Sequence, residues 1–399
     1  MKRIMILGAS ILQLPAIEKA LQLGLEPIVV DMNPDAVGFR LPGVHREVIS
    51  TIDTPAILEA ARRLQIDGIM TLASDMPMRS VAAVATELKL VGIDESTAIR
   101  ATNKASMRQA LRENQVPIPA FFKVSNETEY MAAAAQFSSP FVVKPADNSG
   151  SRGIIKVDDP ADTRSVLQAY RYSVGASRNG DVLVEEYMRG PEVSVETLAL
   201  DGVCHVIQIT DKITTGSPHF VEIGHSQPTR LDRETADRIA RVAIAANKAI
   251  GIEIGPSHTE IIVTEDGPKI VELGARLGGD CITTHLVKMS TGIDMVECCI
   301  RIALGEKPDI SPKQALGAAI RYFPQHAGLV KKIEGLEEAK LLKGIRQISV
   351  VHGPGEVVTD IVDSGSRMGF VISQDKDAAT AEQDCADAIE RIKIKIERQ

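Results

Sequence analysis

The chain has 399 residues, a formal net charge of -8 and only 3% aromatic residues, with no Trp. That length allows two or three domains and a large core. The acidic balance, with no basic run interleaved with aromatics, excludes a typical nucleic-acid binder, and no apolar run is long enough to span a membrane.

Ala, Ile, Val and Leu dominate, which suits layered α/β packing. Residues 1–7 run into Gly8 as a strand, too short for a signal peptide. The five cysteines (Cys204, Cys281, Cys298, Cys299 and Cys385) lack zinc-type spacing. A cytoplasmic protein with reduced thiols is expected, with Cys298 and Cys299 packing inside a helix. In chain order, residues 3–7, 26–30 and 68–72 read as strands, and 12–23 and 54–64 as helices. This βαβ alternation predicts a parallel sheet whose strand ends face a ligand crevice. Only Gly8 of Gly8, Ser10 and Gln13 fits the G-x-G-x-x-G pattern, so a nicotinamide cofactor is not expected. The turns at Gly8-Ala9-Ser10 and Ser74-Asp75 could still offer backbone N–H groups to an anion.

Asn103-Lys104 begins a helix, and Val116-Pro117-Ile118-Pro119 reads as a stiff connector at a domain boundary. Strands are predicted at 141–145 and 154–157, around a small-residue loop, and at 182–187. A pair at 192–200 and 203–209 turns at Asp201-Gly202, and 231–250 is helical by its apolar period. Beyond about residue 308 come short strands at 318–323, 345–351 and 369–372, then an amphipathic helix from Ala378.

The segment from His258 to Arg276 is the most informative. Asp266-Gly267-Pro268 separates two runs rich in Ile and Val, which predicts a hairpin that sets Glu260 opposite Glu272 within one position of register. His258, Glu260 and Ile262 then share a face. Facing carboxylates destabilise a sheet unless a cation lies between them, and such oxygen pairs are what Mg2+ takes when it also holds phosphate. A solvated hairpin edge is the alternative. The loop Ser149, Gly150, Ser151, Arg152, Gly153 offers backbone N–H groups and a cation to phosphate, with Lys144 just before it; a plain turn would look the same. Glu185 and Glu192, across Tyr187-Met188-Arg189-Gly190-Pro191, could flank a purine and its ribose.

Taken in this order and spacing, these parts resemble the ATP-grasp superfamily over nearly the whole chain. The runs from Glu272 to Asp280, Phe220 to His225 and Ala319 to Phe323 look closest to the branch of bacterial L-amino acid ligases and related carboxylate-amine ligases. The resemblance implies an α/β fold of three parts: an N-terminal parallel α/β domain (1–103), a central ATP-grasp domain (104–307) with a mobile α+β lid at about 121–186, and a small, mostly β C-terminal domain (308–399) that closes the substrate pocket. It implies ATP with Mg2+, or Mn2+ in its place. Lys104, Lys144 and the loop 149–153 would meet the phosphates; Glu185, Glu186, Tyr187 and Met188 would line the adenine site; Glu192 would take the ribose; Glu260 and Glu272 would hold the metal. Lys144 and Arg276 would neutralise charge during catalysis. Partners would be small carboxylates and amines, and a homodimer is common among such ligases.

One position departs from the family pattern. The Asn often found two residues after the second metal carboxylate is Gly274 here. Substrate candidates are Arg321, which could grip a carboxylate, His225 and His258, and more faintly His219 and Asp75. The rival enzymes are ligases resembling phosphoribosylglycinamide synthetase or the carbamoyl-phosphate synthase large subunit. A catalytically silent ATP-binding sensor is the rival of another class.

Overall fold

The computed structural model describes residues 1–148 and 152–398. Its N-terminal part is built from β1 (Arg3–Leu7), α1 (Leu14–Gln22), β2 (Glu26–Asp31), β3 (His45–Val48), α2 (Thr54–Leu64), β4 (Gly68–Thr71), α3 (Pro77–Leu88) and α4 (Glu95–Thr102). The four strands form a parallel sheet in the order β3-β2-β1-β4. Ile4, Met5, Ile6 and Leu7 are fully buried, which is why β1 reads as an unbroken apolar run: helices cover both faces. Prolines in the first turns of α1, α2 and α3 start those helices. The expected alternation is observed, with β3, α3 and α4 added; the exposed, mixed sequence of β3 carried no strand pattern.

Helix α5 (Lys104–Glu113), capped by the Asn103 side chain, leads into a compact second unit. It comprises β5 (Phe121–Val124), α6 (Glu127–Ala134), β6 (Phe141–Pro145), β7 (Ile155–Val157), α7 (Thr163–Ala176) and β8 (Val182–Glu186). Its antiparallel sheet has the order β5-β8-β6-β7. It has its own core, in which Tyr130 and Tyr170 stack at 4.8 Å beside Phe141, Val143, Val166 and Val184.

The third layer contains β9 (Glu192–Leu200), β10 (Val203–Thr214), β11 (Glu222–Gln227), α8 (Arg233–Ile250), β12 (Gly255–Thr264), β13 (Gly267–Gly274), a π turn at Ile282–Leu286, α9 (Val287–Thr291) and α10 (Met295–Ala303). Val193, Val195, Ile261, Ile270 and Leu273 cluster with Ile239, Ala243 and Ala246 of α8. Cys298 and Cys299 are buried on α10, as expected, and burial raises both thiols above the usual range. The C-terminal part adds β14 (Gly317–Tyr322), β15 (Gly328–Glu334), α11 (Leu336–Lys340), β16 (Ile345–Val350), β17 (Val357–Val358), β18 (Gly369–Asp375), α12 (Ala378–Arg391) and β19 (Lys393–Glu397).

Here the structure refines the expected picture of a small terminal module. One eight-stranded sheet runs β13-β12-β9-β10-β11-β14-β18-β16, so three C-terminal strands extend the central sheet. Only β17-β15-β19 forms a sheet of its own. Pairing of Gly224 with Arg321 and of His225 with Ile320 joins the two parts edge to edge. Among the described residues no helix is long and apolar enough to cross a membrane.

Candidate active site

Gly267 takes φ +121° at the β12–β13 turn, a conformation that a Cβ would disfavour. The hairpin it closes pairs Glu260 directly with Glu272, and a bulge follows Glu260. Their side chains are 23% and 29% exposed, so both carboxylates reach solvent. Each is met by a lysine. Lys104 Nζ lies 2.7 Å from Glu272 Oε1 and donates to the Asn148 carbonyl, also at 2.7 Å. Lys212, opposite Glu192 on the neighbouring strand, lies 2.8 Å from Glu192, 3.2 Å from Glu260 and 3.3 Å from Glu222. Burial alone would lower the Lys212 pKa, yet the three carboxylates hold it well above the ordinary lysine value. Burial would likewise raise Glu260, but Lys212 and His258 keep it well below the usual carboxylate range.

His258 faces Glu196 across β9, with Nδ1 2.6 Å from Oε1 and Nε2 3.5 Å from Glu260. Burial disfavours its charged form, but Glu196 and then Glu260 outweigh that and lift its pKa to about 9. The two carboxylates thus favour the imidazolium form. Because the folded pKa is raised, the stabilisation is complete below the unfolded value near 6.5 and is lost as pH rises through about 9. We expect the unfolding free energy to fall by roughly 3 kcal/mol over that window. An NMR titration should place the His258 transition near pH 9; a midpoint at the ordinary histidine value would contradict this assignment.

Behind the hairpin, Lys144 Nζ is 2.7 Å from Glu185, and Arg108 Nε and Nη2 donate to the same carboxylate at 2.7 and 3.1 Å. All three side chains are almost fully buried. Burial would raise the Glu185 pKa; Arg108 and Lys144 bring it to about 2. The Lys144 pKa is lowered too, chiefly by burial, which Glu185 only partly offsets. Lys104 and Arg108, one turn apart on α5, thus tie the β5–β8 unit to the hairpin, since Arg108 also donates to the Val271 carbonyl at 2.7 Å.

Beyond the end of β13, Arg276 pairs with Asp75 from the loop after β4, at 2.8 and 3.3 Å. Beyond it Asp280 holds the Arg367 guanidinium through two bonds of 2.8 Å, and Arg367 lies 3.8 Å over the Tyr322 ring. His225 Nε2 lies 3.4 Å from Asp280, and its buried Nδ1 has no partner among the described residues.

Comparison with known proteins now adds to this geometry. Residues 137–284 match the model of the ATP-grasp domain, and residues 321–397 match L-amino acid ligase C-terminal domain 2. The chain carries an ATP-grasp domain. It is similar to the solved L-amino acid ligase from Bacillus licheniformis, with 27% identity, a TM-score of 0.86, and 100% of this chain and 99% of that one covered. It is 25% identical over 276 residues to an L-arginine-specific L-amino acid ligase of Bacillus subtilis, covering 68% of this chain and 66%, just under two thirds, of that protein. An uncharacterized protein, y4rH, of Sinorhizobium fredii (strain NBRC 101917 / NGR234) is 27% identical over 388 residues, 94% of this chain and 79% of its own length.

In this ATP-grasp domain, Glu260 and Glu272 are chemically suited to Mg2+: two hard oxygen donors side by side and partly exposed. Among the described residues no cluster of three or more metal-ligating side chains occurs. The structure gathers Lys104, Lys144, Glu185, Glu192, His258, Glu260, Glu272, Arg276 and Asp75 around the β12–β13 hairpin through a chain of contacts. Of the expected phosphate loop, Ser149, Gly150 and Ser151 lie outside the described residues. Gly153 follows at φ +79°, where a Cβ would come within 2.6 Å of Ala176 and 2.7 Å of Pro145.

Two expected roles meet a different arrangement. The Glu185 carboxylate is taken up by Arg108 and Lys144, so it anchors Lys144 rather than standing free for a base. The backbone N–H groups of Glu186 and Tyr187 are also engaged, donating to the Ala120 and Pro140 carbonyls at 2.9 and 3.2 Å. Arg321 donates to the carbonyls of His225 and Ile320, each at 2.9 Å, and lies 3.4 Å from Glu382, so it is committed to joining strands. His219 is exposed on the β10–β11 connection.

Lys212, Arg108 and Arg367 had not been anticipated. Lys212 lies beyond the predicted end of β10; continuing the alternation to Thr214 would have put it beside Glu192. Arg108 was accessible as the residue four after Lys104. Arg367 sits in an irregular loop, and nothing local marks it.

Proposed function

We propose that the protein is an ATP-dependent carboxylate-amine ligase that makes an amide or peptide bond through an acyl phosphate, with an amino acid substrate, releasing ADP and phosphate. The observation that carries this reading is the facing pair Glu260 and Glu272, bordered by Lys104, Lys212 and Arg276 and backed by the buried Lys144. Attack of a carboxylate on the γ-phosphoryl group brings two anions together, so the protein must neutralise charge and hold the groups in line. Lys104, Lys144 and Lys212 surround the place where phosphate charge would lie, and Arg276 stands at the substrate end. Mg2+ held by Glu260 and Glu272 would supply Lewis-acid stabilisation of the phosphate oxygens.

One oxygen of the substrate carboxylate bonds to the γ-phosphorus as ADP leaves. The amine nitrogen then bonds to the activated carbonyl carbon, phosphate departs with that oxygen, and the amine proton is lost to a base. His258, with Nδ1 against Glu196 and Nε2 facing Glu260, is not suited to be that base. His225 is no better placed, since its Nδ1 is buried and its Nε2 lies 3.4 Å from Asp280, so the proton passes to the departing phosphate or to water. The β5–β8 unit, with a core of its own, can close as a lid that keeps water from the acyl phosphate.

Support for an amino acid substrate comes from the C-terminal match to L-amino acid ligases and the full-length likeness to one of them. The test is a screen of amino acids, singly and in pairs, with ATP and Mg2+, measuring ADP. ADP release that needs two amino acids is expected for peptide ligation; no release with any pair would overturn the reading.

A further inference from the structure

Gly274 lies two residues beyond Glu272, directly across from His258. Its backbone does not require glycine, since it is not among the positive-φ positions. Space does. A Cβ built there would come 2.9 Å from Asp75 Oδ1 and 3.3 Å from Cζ and Nε of Arg276, inside ordinary van der Waals separation. The volume that a side chain at 274 would fill is occupied by a carboxylate from the N-terminal domain, together with the arginine it holds.

The loop that delivers Asp75 is shaped for the purpose. Ala73 takes φ +56°, a left-handed conformation that disfavours a residue with a Cβ and tends to persist where function demands it. Gln13 Nε2 fixes both sides of that residue, donating to the Leu72 carbonyl at 2.7 Å and to Ser74 Oγ at 3.2 Å. Asp75 then accepts from Nε of Arg276 at 2.8 Å and from Nη2 at 3.3 Å, while Nη1 donates to the Leu277 carbonyl at 3.2 Å. Of the five guanidinium N–H groups, two remain, one on each terminal nitrogen. Glu272 and Glu260 are close enough to add to the field that keeps Arg276 charged.

We propose that Asp75 is a positioning residue for Arg276, admitted by Gly274, and that it fixes the guanidinium so that its two remaining N–H groups meet the transferring phosphoryl or the acyl oxygen. The inference rests on the ligase reading above. It makes the N-terminal domain part of the reaction centre: a change of angle between that domain and the central sheet would move Arg276, so domain closure and charge stabilisation become one event. A mere bridge between domains would instead contribute to stability and leave turnover alone.

The test is a double-mutant cycle between Asp75 and Gly274, read as kcat, as KM for ATP, and as the rise in melting temperature on adding Mg2+ with a non-hydrolysable ATP analogue. Asp75→Asn keeps the shape and removes the charge. Its kcat should fall about 100-fold, with KM for ATP within about threefold and the analogue-induced rise retained. Gly274→Ala should lower kcat by about tenfold or more in the native background, because its Cβ displaces the pair, yet by about twofold or less in the Asp75→Ala background. Native kcat in Asp75→Asn, or the same cost of Gly274→Ala in both backgrounds, would overturn the proposal. A wild-type protein that forms no ADP with any amino acid pair would bring down the ligase reading itself, and this inference with it.

Discussion

Glu260→Gln and Glu272→Gln should each abolish ADP formation while leaving the fold intact. The amide keeps the volume and one acceptor oxygen, but it halves the anionic charge available to a divalent ion at the hairpin. The fold survives because neither lysine is stranded. Lys212 retains Glu192 and Glu222 when Glu260 is neutralised, and Lys104 retains the Asn148 carbonyl when Glu272 is. Loss of one charge-stabilising group at a reaction centre costs on the order of a hundred- to a thousandfold in rate, and a shared metal makes the loss larger. The measurement is ADP released under saturating ATP and amino acids, alongside far-UV circular dichroism. Unimpaired turnover in both variants would sink the metal assignment.

Glu185→Gln should act on stability instead. Glu185, Lys144 and Arg108 are 5%, 6% and 1% exposed, so solvent cannot replace the lost partner. Removing the charge strands two buried cations, and breaking a buried pair in this way costs about 3–5 kcal/mol. Urea unfolding of wild type and variant should show that difference. A change below about 1 kcal/mol would mean that water reaches the trio, as it does for surface pairs. The pH dependence has a definite sign. Since the folded pKa of Glu185 is depressed to about 2, its contribution is complete above the ordinary carboxylate value of 4.5 and is lost as pH falls through about 2. The variant should lack that acid limb.

Much of the fold could be read from the sequence wherever an element buries one side or both in a regular pattern. The apolar run of β1, the turn of β12 and β13, and the 3.6-residue period of α8 are of this kind, and each expected element was found there. The elements missed include the well-buried α3, α7 and β11 as well as strands whose burial is slight. β3 and β19 alternate partly buried with exposed positions in short, charged stretches, and the five residues of β19 follow α12 so closely that they read as its continuation. The run of the sheet across residue 308 was also hidden, because it depends on long-range pairing of β11 with β14 rather than on any local period.

The site divides the same way. Glu260 opposite Glu272 follows from alternation and a tight turn, both local. Lys144 and Glu185 were recognised, but their partnership was not: it requires β6 beside β8 and α5 behind both. Arg367 reaches Asp280 from 87 residues away in sequence, and Asp75 reaches Arg276 from 201. Charge pairs between domains leave no periodic trace, so the doubt raised by a glycine at position 274 could be resolved only by what stands beside it.

The most direct test of the ligase mechanism follows an oxygen atom. An amino acid labelled with 18O in its carboxylate is incubated with the protein, ATP, Mg2+ and the second amino acid that supports ADP release. Activation as an acyl phosphate predicts one 18O in each inorganic phosphate released, in equal amount to the amide product. ADP formed with unlabelled phosphate and no amide would contradict it.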